Sequence, residues 1–245
     1  MAPQADTPDP IAAAAPVQVI AMHGWAGEAS SWQPWQDEAS RRGWSWQCGE
    51  RGYGSQQPAM PLWQPAGRRV LIAHSLGPHL LPPELLGSAE AVVLLASFGR
   101  FLPPGPEGQR LATTLQAMAA QLQQERTARA MLQSFLSLAA APAAAAGLPP
   151  GPAAGPLGPL QRQRLRDDLR LLARCDGLPS GFPATAPVLI VEAEADAIVL
   201  PPVRRMLREA LPRATVAEFA GVGHSLLECP VIATVLRWLE DQLDR

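Results

Sequence analysis

A serine, an aspartate and a histidine of this chain each stand just past the carboxyl end of a predicted strand. They are Ser75, Asp196 and His224, in that order. A serine hydroxyl is a weak nucleophile at neutral pH, so a histidine must take its proton. The histidine in turn needs a carboxylate that fixes its tautomer and stabilises its charged form. The three residues are therefore a candidate nucleophile, acid and base.

The sequence around Ser75 has the pattern of a sharp strand-to-helix turn. The apolar run 70–73 leads into the pentapeptide Ala-His-Ser-Leu-Gly of residues 73–77. A turn of this kind exposes the serine hydroxyl above a sheet and needs small residues two positions before and after the serine. Ala73 and Gly77 meet that need, although glycine is more usual at the first position. A buried structural serine is the alternative that this motif alone leaves open.

A second motif supplies candidate donors for an oxyanion. The apolar run 17–22 predicts a strand, and it ends in His23-Gly24-Trp25. α/β-hydrolases place half of their oxyanion hole after such a strand, where the N–H that follows the glycine points at the reacting carbonyl oxygen. We therefore expect the Trp25 and Leu76 N–H groups to bind the oxyanion. An ordinary glycine turn with a structural histidine is the alternative.

The acid and the base also have alternatives. Asp196 alone is typical of a turn aspartate, and His224 alone is typical of a loop histidine. Glu192 and Glu194 are rival acids, but Glu192 should lie within the predicted strand and Glu194 early in the turn. The order nucleophile, acid, histidine, each on a suitable segment, nevertheless predicts a Ser-His-Asp α/β-hydrolase.

The order of apolar runs predicts an α/β-hydrolase fold with a mostly parallel sheet of about six strands and a helical cap inserted between strands. The predicted hydrolase core covers residues 17–99 and 184–245, and the cap covers 100–183. Within the cap we expect one helix over about 111–140 and another over 161–175. An Ala/Gly/Pro-rich linker, 142–159, joins them and could leave the cap mobile. We interpret residues 1–16 as a disordered tail.

The charge, the apolar runs and the cysteine spacing of the chain argue against several classes of function. The 245 residues carry a formal net charge of −2, which gives no global field to attract nucleic acid or a membrane. No apolar run approaches the length of a membrane span. Cys48, Cys175 and Cys229 are far apart, without the spacing of a metal site or a disulfide framework. We expect a cytoplasmic monomer that needs no metal and no organic cofactor.

Several segments resemble one esterase family. Residues 22–27, Met-His-Gly-Trp-Ala-Gly, with Ser31-Trp32 soon after, are similar to the oxyanion segment of the pimeloyl-[acyl-carrier protein] methyl ester esterases of biotin synthesis. The pentapeptide 73–77 and the strand ending at Ser97 are similar as well. Residues 121–138 resemble the first cap helix of that family, and residues 165–178 resemble its last cap helix. The likeness runs from about residue 17 to the end, broken by the linker.

The resemblance implies a substrate. It is the methyl ester of a pimeloyl chain that is linked through phosphopantetheine to an acidic carrier protein. An enzyme for this substrate needs an apolar tunnel for the chain and a basic outer face for the carrier. The tunnel candidates are Trp25, Phe98, Met131, Phe135 and Leu136, each of which could instead be an ordinary core residue.

The basic face has its own candidates on the two cap helices. Arg162, Arg166, Arg170 and Arg174 recur every four residues and should form one stripe, with Leu165, Leu169 and Leu172 on the other side. Arg126 and Arg129 lie on the first cap helix. The stripe could equally be a solvated face that Asp167 and Asp168 partly neutralise.

Two other functions remain open from the sequence. One is a general carboxylesterase for small acyl esters, or a haloperoxidase-like or lactone-hydrolysing relative. The other is a catalytically silent binding protein with the same fold, against which the intact set of Ser75, Asp196 and His224 argues.

Overall fold

Six short strands form one parallel sheet in the computed structural model, which describes residues 15–145, 148–149, 151–226 and 229–244. Every pair of neighbouring strands in the sheet is parallel, and the strand order is β2-β1-β3-β4-β5-β6. This architecture confirms the predicted sheet of about six strands. The strands are β1 Val17–Met22, β2 Ser45–Gly49, β3 Arg68–His74, β4 Ala91–Leu95, β5 Val188–Ala193 and β6 Thr215–Phe219.

Helices cover both faces of the sheet. Those of the described residues are α1 Gln33–Arg41, α2 Pro83–Gly87, α3 Pro106–Gln121, α4 Glu125–Ala140, α5 Pro159–Arg174, α6 Pro201–Ala210 and α7 Cys229–Leu243. Helices α1 and α7 pack on one face, whereas α2, α6 and the cap helices α3 to α5 contribute to the apolar core on the other. Because the central strands are buried on both sides, they read as continuous apolar runs in the sequence.

The topology brings two loops together. The chain moves from β1 outward to β2 and then returns to β3 on the opposite side of β1. In open parallel sheets a crevice forms at such a reversal, at the carboxyl ends of the strands. The loop after β1 carries His23-Gly24-Trp25, and Ser75 follows β3, so both motifs lie at this crevice.

The strand-to-helix turn predicts that a helix follows Ser75 directly, and this prediction is wrong in one respect. The structure has a 3₁₀ turn, Gly77–Leu80, and then the separate short helix α2. Pro82 and Pro83 explain the interruption, because proline lacks an N–H and disfavours the helical conformation in the residue before it.

The single cap helix predicted over 111–140 is also wrong, since α3 and α4 are separate helices. Leu122, just after α3, is almost fully buried, and Gln124 has an extended backbone conformation before α4 begins. The Thr127 hydroxyl donates to the carbonyl oxygens of Gln121 and Gln124, which satisfies polar groups that the break leaves unpaired.

The structure also describes much of the linker. A 3₁₀ turn spans Pro152–Ala154, and Ala153 and Leu157 are buried in the same core as the cap helices. The tail predicted over residues 1–16 falls outside the described residues except for its last two. Among the helices that the structure describes, none is both long and apolar enough to cross a membrane.

Candidate active site

The predicted base and acid are hydrogen bonded. His224 lies in the loop after β6, Asp196 lies in the loop after β5, and His224 Nδ1 is 2.9 Å from Asp196 Oδ2. The other carboxylate oxygen of Asp196 accepts the N–H groups of Ile198 at 2.8 Å and Val199 at 2.9 Å. Burial alone would raise the pKa of this carboxyl, but His224 and the two N–H groups hold the pKa below its usual value. Asp196 therefore stays ionised and can orient the imidazole.

The rival acids have other partners. The buried carboxylate of Glu192 accepts two hydrogen bonds from the Arg208 guanidinium. Glu194 is exposed and accepts the N–H of Gly221 at 3.0 Å. Of the three candidate acids, only Asp196 contacts His224.

Ser75 has the strained backbone that its motif predicts. Its φ angle is +53°, a conformation that non-glycine residues rarely adopt. The Ser97 hydroxyl donates to the Ser75 carbonyl at 2.7 Å and helps to hold this turn. A Cβ atom added to Gly77 would lie 2.5 Å from the carbonyl oxygen of Met22. The turn therefore needs a glycine there, because the backbone after Ser75 crosses directly over the end of β1.

The loop after β1 contacts Ser75. A Cβ atom on Gly24 would lie 2.7 Å from the Cβ of Ser75, so these two loops touch. The His23 Nδ1–H donates to the Gly24 carbonyl at 2.8 Å, and His23 Nε2 accepts the Arg51 N–H at 3.2 Å. Trp25 and Leu76, the predicted oxyanion donors, directly follow the two residues in contact.

The indole of Trp25 connects this loop to the cap. Its Nε1–H donates to the Leu165 carbonyl of α5 at 2.8 Å, and its ring meets the edge of Phe135 from α4 at a centroid distance of 4.8 Å. The loop that carries the predicted oxyanion donor is therefore tied to two of the cap helices, α4 and α5.

A cavity of about 110 Å³ opens at Ser75. Two of the predicted tunnel residues, Trp25 and Phe135, line it. Sequence reasoning missed most of the other lining residues, which belong to the cap helices, to the segment between β4 and α3 and to the loop after β5. They include Phe101, Leu111, Leu115, Met118, Leu138, Leu169, Leu172 and Ile198. Their signal was the apolar face of each cap helix, but helical spacing alone does not say which core residue faces a cavity.

The remaining tunnel candidates lie elsewhere. Leu136 lines a neighbouring cavity of about 80 Å³, and His224 lines the same cavity. Met131 is mostly buried and borders an outer groove between α3 and α4. Phe98 is buried in the core, where its ring stacks on His79 at 5.3 Å.

A groove of about 360 Å³ between α3 and α5 contains two of the predicted docking arginines, Arg166 and Arg170. The Nε of Arg166 is buried and has no hydrogen-bond partner among the described residues. Arg170 pairs with Asp167 at 2.7 Å on the exposed surface. The groove and the Ser75 cavity share two lining residues, Leu115 and Leu169.

The other four docking candidates differ in exposure. Arg126 and Arg174 are exposed. Arg129 and Arg162 are half-buried and donate to carbonyl oxygens of the linker, those of Ala153 and Leu157.

Asp168 does not neutralise the arginine stripe, contrary to the alternative raised from the sequence. It is buried, and it accepts two hydrogen bonds from the Arg51 guanidinium, at 2.9 and 2.7 Å, and one from the Tyr53 hydroxyl at 2.6 Å. Burial, followed by the Asp168 charge, raises the pKa of Tyr53 well above its usual value. The spacing of Asp168 from Leu165 and Leu172 placed it on the inner face, and sequence reasoning overlooked that signal.

A histidine that sequence reasoning did not use stands beside the base. The ring of His74 lies 4.9 Å from the ring of His224, and His74 Nε2 is 2.9 Å from the His224 carbonyl oxygen. Its position immediately before Ser75 was the available signal.

Comparisons with known proteins agree on the fold. No protein-family model and no curated protein matches the chain. Among solved structures, an esterase from Exiguobacterium antarcticum matches with a TM-score of 0.66 and 15% identity, over 94% of this chain and 92% of that one. A thermophilic esterase from Thermogutta terrifontis matches with a TM-score of 0.65 and 15% identity, over 92% and 90%. A bromoperoxidase from Bacillus anthracis matches with a TM-score of 0.61 and 18% identity, over 92% of both chains.

Together with the six-stranded parallel sheet and its inserted helices, these matches show that the chain has the α/β-hydrolase fold. Structural matches with sequence identities of 15–18% establish the fold alone. The reaction depends on the residues of the site.

Proposed function

We propose that the protein is a serine carboxylic ester hydrolase. One observation carries this proposal: His224 is hydrogen bonded to Asp196 and contacts His74, the residue directly before Ser75, and the strained turn of Ser75 is in contact with the loop of Gly24 and Trp25. An acid, a base and a serine in these positions can perform acyl transfer.

Each residue has one role in the proposed reaction. His224 takes the proton of Ser75 as its oxygen attacks the ester carbonyl carbon, and Asp196 stabilises the resulting imidazolium. The Trp25 and Leu76 N–H groups bind the negative oxygen of the tetrahedral intermediate. The carbon–oxygen bond to the alcohol then breaks, and His224 protonates the alcohol. Water, activated by His224, attacks the acyl-enzyme and releases the acid and Ser75.

For the substrate we propose the methyl ester of pimeloyl-[acyl-carrier protein], so that hydrolysis releases methanol and frees the pimeloyl carboxyl for biotin synthesis. The groove of Arg166 and Arg170 supports this choice, because it shares Leu115 and Leu169 with the Ser75 cavity. A basic groove that borders an apolar cavity suits an acyl chain on an acidic carrier.

Hydrolysis of the carrier-bound ester tests the reaction. We expect the wild-type protein to release methanol from the purified methyl ester of the pimeloyl carrier, and we expect Ser75→Ala to abolish this release. The wild-type protein should also restore growth to a biotin-auxotrophic strain that lacks its own esterase, and Ser75→Ala should not. Activity retained by a folded Ser75→Ala variant would refute the nucleophile assignment.

A charge reversal tests the carrier. In the double variant Arg166→Glu, Arg170→Glu, we expect kcat/KM for the carrier-bound ester to fall at least about tenfold more than kcat/KM for free dimethyl pimelate. The matched control is Arg205→Glu, Arg237→Glu, which makes the same charge change at exposed positions of α6 and α7. Equal losses on both substrates, or equal losses in both double variants, would contradict carrier docking.

A general small-acyl carboxylesterase is the second candidate. The modest volume of the Ser75 cavity, about 110 Å³, favours short acyl groups, and two of the structural neighbours described above are esterases. This candidate predicts faster hydrolysis of free short-chain esters than of the carrier-bound ester, and no effect of the arginine reversals on either.

A further inference from the structure

His74 joins the strand of the nucleophile to the loop of the base. It is the last residue of β3, directly before Ser75, and its Nε2 is 2.9 Å from the backbone carbonyl oxygen of His224. The two imidazole rings are also in contact, with their centroids 4.9 Å apart and their planes inclined by 53°. His224 is thus held at two points, by Asp196 on its ring and by His74 on its backbone.

Two hydrogen bonds join the loop of His224 to the loop after β5: the Val222 carbonyl accepts the Ala195 N–H at 3.1 Å, and the Gly221 N–H donates to Glu194 at 3.0 Å. In the described part of the His224 loop, residues 220–226, no residue lies in a helix or a strand, and Gly221 and Leu226 have positive φ angles of 67° and 41°. One backbone hydrogen bond ties the loop to the cap, from the Ser225 N–H to Ala139, and it is long at 3.3 Å. The bond from His74 comes instead from the rigid sheet, so it can fix His224 relative to Ser75 independently of the cap.

The chemistry of His74 suits this role. A carbonyl oxygen only accepts, so His74 Nε2 must carry the proton, and the ring is then the neutral Nε2–H tautomer at neutral pH. Burial, followed by the charge of His224, lowers the pKa of His74 to about 3. The titratable groups that face it are His224 on the base loop, Asp196 on the acid loop and His23 on the oxyanion loop. A neutral His74 adds no positive charge beside the imidazolium that forms on His224 during the reaction.

We propose that His74 is a positioning residue for the reaction, which holds His224 in line with Ser75 through its hydrogen bond to the His224 carbonyl oxygen. The effect on kcat that we expect from this role rests on the proposed ester hydrolysis. His74 itself transfers no proton to the substrate, because its only N–H is engaged by the carbonyl.

Two replacements of His74 and one control test the proposal. His74→Leu removes the donor, whereas the amide N–H₂ of His74→Gln can reach the position of Nε2 and restore it. The control is His79→Leu. His79 is another largely buried histidine whose Nε2 contacts a carbonyl oxygen, that of Phe98 at 3.0 Å, but it does not contact His224. Its replacement should cost stability in a similar way without moving the base.

The measurements are kcat and KM on a short-chain p-nitrophenyl ester, with the enzyme concentration taken from the sites that a fluorophosphonate titrates. We expect His74→Leu to lower kcat per titrated site about tenfold or more, since small misplacements of a catalytic group are costly. KM and the acid limb of the pH profile should stay unchanged. His74→Gln should recover most of kcat, and His79→Leu should keep it.

Proton NMR gives a readout that does not depend on ester hydrolysis. The Nδ1–H of His224, bonded to Asp196, should produce a downfield resonance in wild type, in His74→Gln and in His79→Leu, and this resonance should broaden or vanish in His74→Leu. The proposal would be overturned if His74→Leu showed the same sharp resonance as the wild type together with full kcat per site. It would also be overturned if His74→Gln and His74→Leu lost kcat equally. A wild-type protein that no fluorophosphonate labels would instead refute the esterase proposal and leave the NMR comparison as the test of His74.

Discussion

Replacing Gly24 with alanine tests how closely the loop after β1 must approach Ser75. The new Cβ atom would lie 2.7 Å from the Ser75 Cβ and 3.0 Å from the His74 carbonyl oxygen. An ordinary contact between the new Cβ and the Ser75 Cβ would need about 0.7 Å more than this 2.7 Å distance. The backbone must therefore shift by roughly that amount. Ser75 cannot easily yield, because the Ser97 hydroxyl holds its carbonyl. The displacement should therefore fall on the loop that carries the Trp25 N–H.

Losing one oxyanion donor typically lowers kcat by about 10²- to 10³-fold. We therefore expect Gly24→Ala to reduce kcat on a p-nitrophenyl ester by about a hundredfold while the protein stays folded. The expected loss of stability is about 1–3 kcal/mol, as for other overpacked sites. The matched control is Gly177→Ala, where an added Cβ would meet nothing within 4 Å. A folded Gly24→Ala variant with the kcat of the control would refute this account of the oxyanion loop.

Three further predictions concern the acid, the loop of the base and the neighbouring His74. Asp196→Asn should lower kcat by about 10⁴-fold, because an amide favours the wrong tautomer of His224, with circular dichroism confirming the fold. Gly223→Ala should also reduce kcat strongly, since its Cβ would overlap the Ala141 carbonyl oxygen and displace the base loop; unchanged kcat would contradict the close approach of this loop to the cap. His74, with a pKa of about 3 in the folded state against 6.5 when exposed, binds its proton more readily in the unfolded chain. Stability should therefore fall as the pH drops from about 6.5 toward 3, by up to about 1.4 kcal/mol per pH unit for this group, and urea unfolding of His74→Gln should show a shallower dependence.

The sheet and the order of the site residues were predictable because their signals are local. The buried strands β3 and β5 are short apolar runs that lead to Ser75 and Asp196, and His224 follows the more exposed edge strand β6. The small residues around Ser75 also reflect a local need, the crossing of β1 by the turn at Gly77. These features need no knowledge of distant contacts.

The cap was less predictable because distant contacts decide its structure. The break before α4 contains no proline or glycine, and it forms where Leu122 turns into the core. The buried Asp168 is explained by Arg51 and Tyr53, which lie more than a hundred residues away in the chain. Helical spacing could place Asp168 on the inner face, but it could not identify the partners that make burial of its charge tolerable.

The cavity lining shows the same limit. The predicted tunnel residues Trp25 and Phe135 line the Ser75 cavity, whereas the ring of Phe98, also predicted there, stacks on His79 in the core. All three are large aromatic residues near the site, so composition could not separate them. The separation depends on how the cap helices sit over the sheet, which is a property of the tertiary structure.

Mass spectrometry of the protein after reaction with a fluorophosphonate tests the central claim most directly. We predict one adduct, located on the peptide that contains Ser75 and missing in Ser75→Ala. In His224→Gln the labelling rate should fall at least about a hundredfold, because the base that activates the hydroxyl is gone. An adduct on another residue, no adduct at all in the wild-type protein, or a labelling rate unaffected by the loss of His224 would contradict the assignment of Ser75 as a nucleophile activated by the Asp196–His224 pair.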